Sequence, residues 1–149
     1  MEQTAGSFRA DLAPIVIGLP TADRQRSFHF YATALGLEPI GDLAEDGFPE
    51  PLQFVLNDGA RLMLIPTGGF GWITSNRPTA SPGTSECLLT VVVPDQDGVV
   101  ELIERARQGG AEVVSEPTEQ PWGYAATFAD PDGHVWQVTP LSTLPLYTK

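Results

Sequence analysis

The sequence predicts an α+β fold: two tandem βαβββ modules forming a curved mixed sheet around a cleft, with the helices on the outer face. Three observations lead there. The order strand, helix, strand, strand, strand runs over about residues 14–66 and again over about 86–140. Each helix is followed by the phrase Gly-x-Glu-x-aliphatic, GLEPI at 36–40 and GAEVV at 110–114. A single stretch rich in Gly, Ser, Thr and Pro, residues 67–85, separates the halves. Internal duplication is the economical reading of such repetition. A ligand site between two repeats is a common consequence. The 149 residues fit one domain with a sizeable core.

The first strand is PIVIGLP, 14–20. TADRQRSFHFYATALG follows as a helix. Asp23 is its N-cap, and Phe28, Tyr31, Ala32 and Leu35 fall on one face at helical spacing. Gly36 suits its C-terminus. LEPIG is a short strand, and the polar DLAEDGFPEP is loop. LQFVLNDGARLMLIPT is a hairpin around Asn57-Asp58-Gly59. GGFGWITSNRPTASPGTSE, 68–86, has no period and reads as a long crossover loop. Its Phe70 and Trp72 are more aromatic surface than a solvated linker needs. The second half opens with the strand CLLTVVVP and the helix DQDGVVELIERARQGG, whose apolar face is Val99, Leu102, Ile103 and Ala106. AEVVS is a strand and EPTEQP a turn. WGYAATFAD and HVWQVTP form a hairpin around Asp130-Pro131-Asp132-Gly133, and LSTLPLYTK is a tail.

Composition excludes several functions. Nineteen acids against eight bases give a net charge of −11, which argues against a nucleic-acid partner. The same charge suits a cationic ligand, or simply solubility. Cys87 is the only cysteine, so there is no internal disulfide and no cysteine zinc cluster. In the strand-like ECLLTVVV it reads as a buried small apolar residue. The one lysine, Lys149, rules out Schiff-base chemistry on an internal lysine. No apolar run approaches the ~20 residues of a membrane span. The acidic N-terminus lacks a signal-peptide pattern. A cytoplasmic, non-membrane protein is the expectation.

A strand ending LPTAD, then SFHFYATALGL, then PWGYAATFADPDGHVWQV resembles the vicinal oxygen chelate superfamily. That superfamily includes glyoxalase I, bleomycin-resistance proteins, extradiol dioxygenases and fosfomycin-modifying enzymes. The resemblance spans about residues 14–140. It implies the fold above and a homodimer. In the metal-dependent members it implies one inward-facing His, Gln or Glu on each of four strands, binding a divalent metal that keeps open sites for substrate. On this chain the resemblance maps those positions to Val16, Met63, Leu88 and Gln137. Valine and leucine cannot ligate, methionine is too soft for a hard site, and Gln137 alone cannot hold a metal. No metal and no cofactor are therefore expected.

Alternation along strands sets Val135, Gln137 and Thr139 toward the cleft and turns His134, Trp136 and Val138 toward the helices. Matching cleft positions are Val16 and Gly18 on the first strand. Arg61, Met63 and Ile65 match them on the fourth, and Glu86, Leu88 and Thr90 on the fifth. Phe54, Trp122, Tyr124 and Trp72 complete the candidate ligand-binding set. His134 reads as a turn or helix-side residue and His29 as packed or on the surface. The usual general base is then missing. Glu86 is either a rim charge or, if desolvated, a base. The expected function is binding of a small apolar or cationic molecule in the cleft by a glyoxalase-like protein that has lost its metal ligands. The alternatives are a metal-dependent lyase or dioxygenase, and a metal-independent enzyme using Glu86, Arg61 or Tyr124.

Overall fold

The structure, a computed structural model, describes Arg9 and residues 11–143. Lys149 and most of the expected C-terminal tail lie outside the described residues. The fold is α+β and consists of two βαβββ modules, each closing its own four-stranded mixed sheet. In the first module β1 (Ile15–Thr21) pairs in parallel with β4 (Ala60–Pro66). β4 pairs antiparallel with β3 (Leu52–Asn57), and β3 with β2 (Glu38–Ile40). The second module repeats this with β5 (Leu88–Val93), β8 (Val135–Pro140), β7 (Gly123–Ala129) and β6 (Glu112–Gln120). Asn57 pairs with Ala60 across the Asp58-Gly59 turn. The second expected hairpin joins β7 to β8, with Ala129 opposite Val135.

Helix α1 (Arg24–Phe28) starts where expected, with the Asp23 side chain accepting from the Arg26 amide at 3.1 Å. It then widens into a π-helical turn, His29–Ala34. Neighbours 30 and 31 both face the core in this turn. Phe30 is 1% and Tyr31 0% exposed. Phe30 was absent from the apolar face read by period. Helix α3 (Gln96–Gln108) is capped by the Asp95 carboxylate, which accepts from the Gly98 amide. It buries Val99, Ile103 and Ala106, with Leu102 packed beside them. One core spans both modules. The Tyr31 ring packs, tilted, against Phe54 of the first sheet and Trp136 of the second.

Three expectations need correction. Residues 67–85 are not all loop, because α2 (Thr67–Ile73) forms within them. Three glycines make it a poor helix by propensity. Packing against β1 and β4 overrides that, and the Thr74 hydroxyl closes its end by donating to the Phe70 carbonyl at 3.0 Å. EPTEQP is not a turn but the continuation of β6. Its proline is tolerated because β6 is an edge strand whose register with β7 shifts twice. Cys87 is exposed, not buried, since β5 begins one residue after it. No helix among the described residues is long and apolar enough to cross a membrane.

Candidate functional site

Each sheet turns one face to the helices and leaves the other open. On the open face Gly18 pairs with Met63, and Thr90 with Gln137. Val16 and Leu88 therefore hold equivalent places, each two residues before the partner of the last-strand position. Val16 is 49% and Leu88 55% exposed. The Trp122 indole donates to Gln137 Oε1 at 3.3 Å, and Gln137 Nε2 donates to Thr90 Oγ1 at 3.2 Å. The amide of Gln137 is thereby oriented, and its oxygen is engaged. Arg61 Nη1 donates to the carbonyls of Asn57 and Ala60, which draws its charge to the hairpin.

Three predicted residues are elsewhere. Phe54 pairs with Leu62, so it faces the helices and is fully buried in the core. Tyr124 lies three residues from Thr127, the partner of Gln137, and packs half-buried against the core. Trp72 stands on α2, 83% exposed.

A cavity of about 460 Å³ lies at the junction of the modules. Its walls are the end of β1, the starts of β5 and β8, Phe70 of α2 and the crossover segment 78–87. Of the predicted binding set only Glu86 lines it, with Gly18 and Val135 from the wider face. Cys87 and His134 were not assigned to it from sequence. Phe70, conspicuous in a Gly-rich linker, was the legible hint.

Beside this cavity the Asp130–His134 turn fastens the second module to the first. The Asp132 carboxylate accepts from the Ala22 amide at 2.9 Å, Arg26 Nη2 at 2.9 Å, the Thr21 hydroxyl at 2.7 Å and the Ser27 hydroxyl at 3.0 Å. Burial alone would raise its pKa. These donors together outweigh burial and hold the carboxyl below its usual value. Asp130 accepts from the Tyr31 hydroxyl and from the amides of Asp132 and His134. Here burial wins and the Asp130 pKa is raised, although those hydrogen bonds and His134 pull it down. Burial, then the Asp130 charge, push the Tyr31 phenol well above its ordinary value. His134 Nε2 lies 2.7 Å from the Pro20 carbonyl. A carbonyl only accepts, so this nitrogen carries the proton and donates. His134 is a turn residue in a structural joint, as its place before β8 suggested.

Residues 13–138 match the model of the Glyoxalase/Bleomycin resistance protein/Dioxygenase superfamily. The chain belongs to this superfamily. Its structure is similar to that of a glyoxalase-related enzyme from Fulvimarina pelagi, with 26% identity, 87% of each chain covered and a TM-score of 0.73. A hypothetical protein from S. aureus aligns over 85% of this chain and 91% of its own, with 23% identity and a TM-score of 0.71. A superfamily protein from Nocardioides aligns over 90% of this chain and 85% of its own, with 24% identity and a TM-score of 0.65. No curated protein matches the chain.

Superfamily membership fixes the fold more tightly than the reaction, because a fold hosts many chemistries. The divalent-metal centre of the metal-dependent members can be tested against the donors present. The equivalent open-face positions carry valine, methionine, leucine and a glutamine whose oxygen already accepts a hydrogen bond. Among the described residues no three His, Cys, Asp or Glu side chains group as metal ligands. These residues do not fit such a centre.

Proposed function

We propose that this superfamily member binds a small apolar or cationic molecule on its open face without a metal ion. The observation that supports the reading is that Val16, Met63 and Leu88, three of the four positions the resemblance maps, hold equivalent register in the two modules and carry no hard donor, which leaves Gln137 alone. Half-exposed Val16 and Leu88, and Trp122 against Gln137, offer apolar surface, and Gln137 and Thr90 supply a few fixed polar groups. That mixture is the usual profile of a small-molecule site. The net charge of −11 favours a cation. A metal-dependent lyase or dioxygenase would need donors that these positions lack. We also propose a homodimer in the cytoplasm. Exposed Trp72 and Ile73 on α2 are the kind of apolar surface that a second copy covers, and a chain with one cysteine suits a reducing compartment.

The test is elemental analysis after equilibration with Zn²⁺, Ni²⁺, Mn²⁺ and Fe²⁺ and exhaustive dialysis. The expected metal content is far below one per chain. Retention near one per chain, removable by chelator, would overturn the metal-free reading. Sedimentation of the same sample checks the dimer.

A further inference from the structure

The cavity at the module junction carries a charge that the open-face reading leaves unused. Its walls include apolar Phe70, Leu19 and Leu89. Two carboxylates line it, Asp132 and Glu86. Asp132 already has four donors. Glu86 forms no ion pair among the described residues. Among the described residues no lysine or arginine lines the cavity, and the Nε2 proton of His134 is given to Pro20. The pocket therefore presents one uncompensated negative charge above an apolar wall.

The crossover segment is seated here rather than merely nearby. A Cβ on Gly133 would stand 3.1 Å from Pro82 Cα, and the φ of +95° at Gly133 is one that favours glycine. The turn thus lets the segment approach closely, and the space left between them is of ligand size.

We propose that this cavity is a second binding site, for a small protonated organic amine. The ammonium pairs with Glu86, and an aryl or branched alkyl body lies against Phe70, Leu19 and Leu89. A metal ion is a poor occupant, because Asp132 is engaged and a single carboxylate does not make a hard-cation site. An anion would meet only like charge. The cavity shares Gly18 and Val135 with the face that carries Val16, Leu88 and Gln137, so the proposal rests on the small-molecule reading and deepens it; ligand shifts confined to Trp122 and Gln137 would sink this site and leave that reading standing.

The experiment titrates the full-length protein with phenethylamine, and in parallel with phenethyl alcohol as its uncharged counterpart. Binding is followed by amide-resolved NMR and by the rate of Cys87 alkylation with iodoacetamide. Cys87 is the only cysteine and lines the cavity, so its alkylation reports occupancy. The amine is expected to shift amides in 78–87 and 132–135 and to slow Cys87 alkylation. Glu86→Gln should weaken the amine about fivefold, the upper range for an exposed ion pair, and leave the alcohol unaffected. Rising salt should weaken the amine for the natural chain and not for the variant. Three results would overturn the proposal: unprotected Cys87 at saturating amine, equal affinity in Glu86→Gln, or shifts confined to Trp122 and Gln137. Glu86 is exposed and forms no ion pair among the described residues, so Glu86→Gln should retain the fold, which circular dichroism verifies.

Discussion

Asp132 joins the modules through a single carboxylate whose side chain is only 7% exposed. Its guanidinium partner Arg26 is 46% exposed, so that ion pair adds little in water. The Thr21 and Ser27 hydroxyls and the Ala22 amide carry most of the effect. Asp132→Ala should cost about 3 kcal/mol by leaving these donors unsatisfied, read from urea unfolding at neutral pH. The pH dependence has a definite sign. The folded pKa of Asp132 lies below its ordinary value, so its contribution is complete above that value, about 3.9 for an unfolded aspartate. It is lost as the pH falls through the lower folded value. The stability gap between the natural chain and Asp132→Asn should therefore close in that acid window. A gap that stays constant into strong acid would mean the joint does not depend on the ionised carboxylate. Asp130 works the other way. Its raised pKa means the folded state takes up that proton more readily, so its own contribution rises as pH falls toward the unfolded value.

The elements that sequence reasoning missed are those in which packing outvoted local preference. Alternation and helical period located β1, β3, β4, α1, α3 and the two hairpins because each obeys a regular repeat. The π-helical turn, α2 and the second half of β6 break that repeat, each held by neighbours distant in sequence. Two glycines separate the causes. Gly109, which ends α3, has an ordinary φ of −83°, yet a Cβ there would stand 2.3 Å from Ala34 Cβ and 3.3 Å from Phe30 Cδ1. Gly109→Ala must push α3 away from the π-helical turn, at about 1–3 kcal/mol for overpacking. Gly68, inside α2, has nothing within 4 Å of an added Cβ. Gly68→Ala should stabilise by about 0.5–1 kcal/mol through helix propensity. Thermal unfolding should move in opposite directions for the two variants. A stabilising Gly109→Ala would show that the helices are not in close contact.

At the scale of the molecule the duplication made the fold legible, because it is a property of the whole chain and survives errors at single elements. The site was half legible. Parity held for Val16, Met63, Leu88 and Gln137, whose ladders run in unbroken register. Phe54, expected in the cleft on no parity argument, lies beyond the register shift between Val55 and Asn57, and Tyr124 takes a phase set by a pairing the sequence does not state. The cavity was legible only in fragments, Phe70 and Glu86 among them, since it draws on segments near residues 19, 70, 86 and 133 that only tertiary structure brings together. The same interweaving bears on folding. Trp136 Nε1 donates to the Tyr31 hydroxyl, Tyr31 donates to Asp130, and Phe30 packs against Phe128, so the helix of one module completes the core of the other. The buried side chains of the two modules form one continuous cluster. The chain should unfold in one transition, with the fluorescence of Trp136 in a Trp72→Phe, Trp122→Phe background and the far-ultraviolet dichroism giving the same urea midpoint. Separate midpoints would mean that a module keeps its structure after the joint opens, and that the core is shared less than these contacts require.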